Sequence, residues 1–176
     1  MSNNSDKIQD IEMDFVDKIA DNMQAFGVQG SLGQVLGTIY MNREPMTLDG
    51  LADATGMSKT RMSQIVRDMI DMNIAERVYK KNVRKDLFQV ENDYYDTFIS
   101  IFTSAWRKAI DRNRHFERKV EKKLRDLESS PNLTEEEEKM YNELLHELHE
   151  WIAYYDWIRR LNEFFESGEV FKYVPK

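Results

Sequence analysis

The chain has 176 residues and a mass of 21.0 kDa, and its 25 Lys and Arg against 32 Asp and Glu give a formal charge of -7. Apolar residues make up 41%, enough for a folded core, so a disordered tail is excluded. The lack of cysteine excludes disulfides, thiolate metal sites and thiol catalysis. No stretch reaches the about 18 apolar residues of a membrane span, and residues 1–6 are too polar for a signal peptide. We therefore expect a cytoplasmic protein without a membrane partner.

The charge is distributed unevenly along the chain. A pI of about 5.1 argues, taken alone, against a nucleic-acid partner. Residues 59–90, however, contain eight Lys and Arg against four Asp and Glu, whereas residues 127–176 contain five against twelve. Screening confines the influence of each charge to about 8–10 Å at physiological salt, so a local basic patch can bind phosphates whatever the net charge.

The first predicted element is an amphipathic helix that ends near Gly27. Its apolar residues recur at helical spacing on one face: Ile8, Ile11, Phe15, Ile19, Met23 and Phe26. We assign residues 1–30 to an N-terminal helix that contributes to dimerisation.

Residues 31–91 are predicted to form a winged helix-turn-helix domain. A helix over 31–42 ends before Pro45, and Thr47 can cap a short helix. Gly56 can adopt the positive φ that turns one helix into the next, and Ser58 can cap that next helix. A helix-turn-helix needs a small residue, a turn glycine and three core contacts at fixed positions. This chain has Ala52 as the small residue, Gly56 as the turn glycine, and Met57, Met62 and Ile65 as the core contacts.

The recognition helix is predicted over residues 58–73. One face of this helix is apolar, and the opposite face carries side chains that can donate hydrogen bonds and include no acid. They are Ser58, Lys59, Thr60, Arg61, Ser63, Gln64 and Arg67. A helix in the major groove needs such side chains, because Arg, Gln and Ser read base edges while Lys and Thr meet phosphates. The alternative is a surface helical hairpin that binds nothing.

A β-hairpin wing is predicted over residues 75–90, with strands at Ala75–Lys80 and Lys85–Val90. Its tip is basic and supplies the further candidate DNA contacts Lys80, Lys81, Arg84 and Lys85. Such a wing can reach backbone phosphates or an adjacent minor groove. The alternative is a solvated hairpin whose lysines block edge pairing.

Residues 92–176 are predicted to form a helical dimerisation domain. A long helix starts near Tyr95 and is stopped by Ser129–Asn132, and a second starts at Thr134, where Glu137 completes a capping box, and stops near Gly168. The stripes of large apolar residues on both helices favour self-association. The predicted fold is thus mainly α with a small β-hairpin wing, a winged helix-turn-helix domain joined to a long helical dimerisation region.

Five segments, in this order and spacing, resemble the GbsR-type branch of the MarR family of winged helix-turn-helix transcriptional repressors: Asp21–Gly27, Ser31–Gly37, Met57–Thr60, Arg84–Leu87 and Trp106–Lys108. The resemblance implies a homodimeric repressor that binds double-stranded DNA and controls genes for glycine betaine synthesis or for uptake of choline and other osmoprotectants. Many MarR proteins carry Asp, one residue, then Arg in the wing, whereas this chain has Arg84–Asp86. The family's wing salt bridge is therefore not carried over.

Some members of this branch sense choline, and a quaternary ammonium is recognised by aromatic faces. We expect Tyr40, Tyr94, Tyr95 and Phe98 to converge where the DNA-binding domain meets the dimerisation helices, and to bind choline or a related cation. The alternative is that these rings only pack the junction.

No enzyme and no cofactor are predicted. His146 and His149 lie three residues apart rather than the four of a zinc protease, and a zinc site needs three or four convergent ligands, so no metal site is expected. Two functional hypotheses remain. The first is a dimeric repressor with an inverted-repeat operator; the second is a helical adaptor or scaffold that contacts proteins without binding DNA.

Overall fold

The computed structural model describes residues 4–129 and 133–176. The chain forms two compact units, one up to Phe102 and one from Thr103. In chain order the elements are α1 (Asn4–Gln24), α2 (Gly30–Asn42), β1 (Met46–Thr47), α3 (Leu48–Thr55), α4 (Lys59–Asp71), β2 (Ala75–Val78), β3 (Leu87–Val90), α5 (Tyr94–Glu128), α6 (Glu135–Glu166) and α7 (Val170–Tyr173). The mainly helical fold with a small sheet confirms the predicted fold class.

In the first unit, α1 packs closely against α2 because two glycines of α2 face it. A Cβ atom at Gly33 would lie 2.7 Å from the Cα of Ala20, and one at Gly37 would lie 3.0 Å from the Cα of Val16. Both clashes are with backbone, which cannot rotate away. The helices therefore approach at a distance that requires glycine at position 33 and leaves little room for a larger residue at position 37.

The helix-turn-helix follows the predicted pattern. Thr47 caps α3 by accepting a hydrogen bond from the Gly50 N–H at 3.0 Å, and Gly56 ends α3 with φ +69°. The core beneath α3 and α4 contains Leu51 and Met62, each 0% exposed. These residues fix the direction in which the outer face of α4 points.

The wing belongs to a three-stranded antiparallel sheet in the order β1-β3-β2. The predicted hairpin is confirmed, but its strands are shorter than expected, and β1 was not predicted. Met46 and Thr47 pair with Phe88 and Leu87. Two residues are too few for a period-two signal, and Thr47 was assigned only to the helix cap that it also provides.

The second unit contains the rest of α5 together with α6 and α7. The predicted capping box is confirmed: Thr134 accepts from the Glu137 N–H at 3.3 Å, and Glu137 accepts from the Thr134 N–H at 2.8 Å. Phe116 packs against Trp151 with ring centroids 5.5 Å apart. The predicted stop of the long helix falls partly on residues 130–132, outside the described residues, and α7 was not predicted.

The predicted division into segments 1–30, 31–91 and 92–176 concerns roles in dimerisation and DNA binding, and those roles stay predictions. In the structure, α1 belongs to the same compact unit as the helix-turn-helix. Among the described residues, no helix has an apolar stretch long enough to cross a bilayer.

Candidate nucleic-acid interface and aromatic cavity

The recognition helix corresponds to α4, with Ser58 as its N-cap. The Ser58 hydroxyl accepts from the Arg61 N–H at 3.3 Å, so this side chain is engaged in capping the N-terminus of the helix. The buried face holds Met62, Ile65, Val66 and Met69. The predicted outward residues Lys59, Thr60, Arg61, Gln64 and Arg67 are exposed and Ser63 is half-buried, so the two faces separate as the sequence predicts.

Arg61, in the first turn of α4, contacts the N-terminal end of α2. Its Nη2 atom donates to Ser31 Oγ at 2.9 Å and to Gln29 Oε1 at 3.3 Å. Both acceptors are neutral, so the guanidinium keeps its full positive charge. No local pattern predicts these contacts, because the partners are 32 and 30 residues away.

Asp49 in the first turn of α3 joins the recognition helix to the wing. Its two carboxylate oxygens contact Lys59 Nζ and Lys85 Nζ, each at 2.6 Å. Hydrogen bonds from the two ammonium groups lower the pKa of Asp49 to about 2, and its carboxylate raises the pKa of Lys59. Asp49 therefore binds two of the lysines that were predicted to contact DNA, and this role of Asp49 was not predicted.

Farther along α4, a chain of hydrogen bonds links side chains one turn apart. Arg67 donates to the Ser63 carbonyl and to Gln64 Oε1, both at 3.2 Å, and Gln64 donates to Asp68 at 2.9 Å. The amide of Gln64 is thereby oriented by its neighbours before any ligand is present.

The wing carries its own ion pair across the strands. Arg77 Nη2 lies 2.8 Å from Asp86 Oδ2, so the wing has a salt bridge, but with an arginine from the opposite strand rather than one from the family's Asp-x-Arg pattern. Lys80 lies 3.6 Å from Glu44, and Lys81 and Arg84 are exposed at the tip.

An aromatic cavity of about 200 Å³ lies in the first unit between α1, α2 and the start of α5. Its wall consists of Ile19, Asn22, Met23, Phe26, Leu36, Tyr40, Tyr94, Thr97 and Phe98. Three of the four predicted ligand residues, Tyr40, Tyr94 and Phe98, thus come together. Tyr95 is not part of the wall and is 51% exposed.

The rings of the cavity pack on one another in two pairs. Tyr40 and Tyr94 stack with centroids 4.6 Å apart, and Phe26 meets Phe98 edge-on at 5.6 Å. Burial, reinforced by hydrogen bonding to Tyr94, raises the pKa of Tyr40 to about 12, and its hydroxyl donates to the Asn92 carbonyl at 3.1 Å. Tyr40 is therefore neutral at physiological pH. Phe26 also lines the cavity, although the sequence pattern assigns it only to the apolar face of the predicted N-terminal helix.

Metal binding has no geometric basis in the described ranges. Within residues 4–129 and 133–176, no three His, Asp or Glu side chains lie close enough together to hold an ion.

The chain resembles known regulators over nearly its whole length. A family model described as the C-terminal helical hairpin of GbsR family transcriptional regulators matches residues 94–172. The HTH-type transcriptional repressor OpcR of Bacillus subtilis (strain 168) is 57% identical over 171 residues, covering 97% of this chain and 92% of OpcR. The HTH-type transcriptional repressor GbsR of the same organism is 32% identical over 160 residues, covering 91% and 88%.

A crystal structure of a transcriptional regulator shares the fold, with a TM-score of 0.57 at 16% identity, covering 89% of this chain and 98% of that chain. The relatives are named as transcriptional regulators, which confirms the predicted regulatory, non-enzymatic class. The chain belongs to the GbsR family of transcriptional regulators.

Proposed function

We propose that this protein is a homodimeric repressor that acts in the cytoplasm and binds an inverted-repeat DNA operator through α4 and the wing. The observation that carries the proposal is the outer face of α4, where exposed Lys59, Arg61, Gln64 and Arg67 lie on a helix held by a fully buried core. The family supports a regulatory role, and the face offers the donors that base edges and phosphates accept.

Dimerisation is supported by an apolar stripe on α1. Ile8, Ile11 and Phe15 are 60%, 54% and 51% exposed and recur at helical spacing. An exposed stripe of large apolar side chains is typical of a protein interface. Two recognition helices in one dimer meet successive major grooves about 34 Å apart, which is why we expect an inverted repeat.

Sedimentation of the purified protein tests the dimer. We expect the wild type to sediment as a dimer and Phe15→Glu to shift towards monomer, because a charge in a buried apolar interface is strongly unfavourable. The matched control is Tyr79→Glu, which changes an 86% exposed aromatic residue of the wing. A monomeric wild type, or equal effects of both changes, contradicts dimerisation through α1.

DNA binding is tested with labelled DNA from the gene's own genomic neighbourhood, titrated at two salt concentrations. We expect Arg61→Ala and Lys59→Ala to weaken binding, and Lys59→Ala to reduce the slope of log K against log salt by about one unit. Lys139→Ala, which removes an exposed lysine of the acidic α6, is the matched control and leaves affinity unchanged.

Two outcomes of this titration contradict the proposal. Absence of binding, or binding indifferent to salt and to both substitutions in α4, favours the alternative of a helical adaptor that contacts only proteins. A reporter gene placed behind the bound DNA then tests repression, and we expect its expression to rise when the regulator is deleted.

We further propose that the target genes serve osmoprotectant uptake or synthesis, and that choline or a related quaternary ammonium is the effector. Membership of the GbsR family supports the target class. The aromatic cavity supports the effector class, because its wall is uncharged and includes four aromatic rings, and a quaternary ammonium has no N–H donor to satisfy. Since Tyr40 and Tyr94 stack on each other, a cation between them requires the rings to separate.

Calorimetry with millimolar choline tests the effector. We expect Tyr94→Ala to abolish the binding heat and the adjacent Tyr95→Ala to preserve it, because Tyr94 lines the cavity and Tyr95 does not. Choline is also expected to weaken operator binding by the wild type. An absence of heat together with unchanged DNA affinity excludes choline as effector while leaving the repressor proposal intact.

A further inference from the structure

The guanidinium of Arg61 is held from outside its own helix. Arg61 lies in the first turn of α4, yet its Nη2 atom donates to Gln29 Oε1 at 3.3 Å, at the N-cap of α2, and to Ser31 Oγ at 2.9 Å, in the first turn of α2. These two bonds occupy the hydrogens of Nη2. Both two-donor edges of the guanidinium include Nη2, so Nη1 and Nε remain as separate single donors.

The nature of the two acceptors distinguishes Arg61 from the neighbouring lysine. Lys59 shares one carboxylate with Lys85, which offsets part of their charge, whereas a hydroxyl and an amide oxygen orient Arg61 without offsetting its charge. A contact that fixes direction and preserves charge suits a side chain that must meet a hydrogen-bond acceptor at a defined place.

The segment that supplies these acceptors is itself fixed by backbone hydrogen bonds. The Val28 N–H donates to the Met23 carbonyl at 3.2 Å, and Val28 is buried in the core. On the other side, the Leu32 N–H donates to the Gln29 carbonyl at 2.9 Å. The acceptors therefore stand on a backbone that is tied to both flanking helices.

We propose that Gln29 and Ser31 are positioning residues that orient Arg61 to read one base pair of the operator. The inference rests on the proposed DNA binding. It adds two residues outside the helix-turn-helix and the wing to those that determine sequence specificity. An arginine held in one direction donates a single hydrogen bond from Nη1 or Nε to a base-edge acceptor without first being ordered, so Gln29 and Ser31 contribute to discrimination between sequences rather than to general affinity.

The test compares binding to the operator with binding to DNA of unrelated sequence. We expect the double variant Gln29→Ala, Ser31→Ala to lower the ratio of the two affinities about tenfold. The slope of log K against log salt stays unchanged, because no charge is removed. Ser31→Thr, which keeps the hydroxyl, retains more of the ratio than Ser31→Ala does.

A double-mutant cycle separates positioning from general structural damage. In an Arg61→Ala background, the Gln29 and Ser31 substitutions are expected to cause no further loss. If the Gln29 and Ser31 substitutions still lower the affinity ratio by their full amount in that background, the inference is overturned. It is also overturned if the double variant leaves the ratio unchanged while Arg61→Ala alone lowers it. Wild-type protein that binds no DNA instead overturns the proposed function, and the inference with it.

Discussion

Replacing Gly33 by alanine tests the close approach of α1 and α2. The new Cβ would lie 2.7 Å from the Cα of Ala20 and 3.1 Å from both the Ala20 carbonyl oxygen and the Met23 Cβ. Two of these three atoms belong to the α1 backbone, so the clash is relieved only if the helices move apart. That movement loosens the packing on both sides of the contact.

Two opposing free-energy terms set the magnitude. Overpacking a well-packed site costs about 1–3 kcal/mol, and a clash with backbone falls towards the upper end. Alanine in the middle of a helix is better than glycine by about 0.5–1 kcal/mol, which offsets part of the cost. We expect Gly33→Ala to lower the free energy of unfolding by about 2 kcal/mol, or the melting temperature by about 4–8 °C for a chain of this size.

Gly50→Ala is the matched control, because it adds the same methyl group to a helix where there is room. A Cβ at Gly50 meets the Thr47 Oγ1 at 3.4 Å and the Met46 Cε at 4.0 Å, which are ordinary contacts. Thermal unfolding followed by circular dichroism is expected to rank Gly33→Ala below the wild type and Gly50→Ala at or above it. A Gly33→Ala protein that melts with or above the wild type refutes the close-packing argument.

Two further predictions concern side-chain contacts in each unit. Because Lys59 and Lys85 hold the pKa of Asp49 at about 2, below the ordinary 3.8, the stabilisation that these pairs give is present above about pH 4 and is lost as the pH falls towards 2. The difference in melting temperature between the wild type and Asp49→Asn should shrink over that interval, and a difference that persists at pH 2 has another cause. In the second unit, Thr134→Ala removes the cap of α6 and is expected to cost about 0.5–2 kcal/mol in urea unfolding, with Thr134→Ser as the control that keeps the hydroxyl. Equal losses in both Thr134 variants contradict a capping role.

Features encoded by neighbouring residues were predictable from the sequence. The cap at Thr134 and Glu137 depends on residues three positions apart, and the positive φ of Gly56 follows from the turn that it occupies. The separation of α4 into a buried and an exposed face follows from helical periodicity alone. Each of these predictions needs only the local chain geometry.

The side-chain contacts of the outer face of α4 were not predictable, because the partner residues are distant in sequence. Asp49 meets lysines 10 and 36 residues away, and an acid in the first turn of a helix is ordinarily explained by the helix dipole alone. Tyr94 and Tyr95 illustrate a different limit. Successive helical residues point about 100° apart, so two adjacent rings on α5 rarely face one cavity.

The glycine contact between α1 and α2 has a consequence for the operator. α2 leads directly into the helix-turn-helix, and the outer stripe of α1 is the proposed dimer contact. In such a dimer, the thickness of the α1–α2 layer is one of the lengths that separate the two recognition helices. Larger residues at positions 33 and 37 would thicken that layer, so related proteins that differ there are expected to hold their two recognition helices at a slightly different distance and to bind the same operator less tightly.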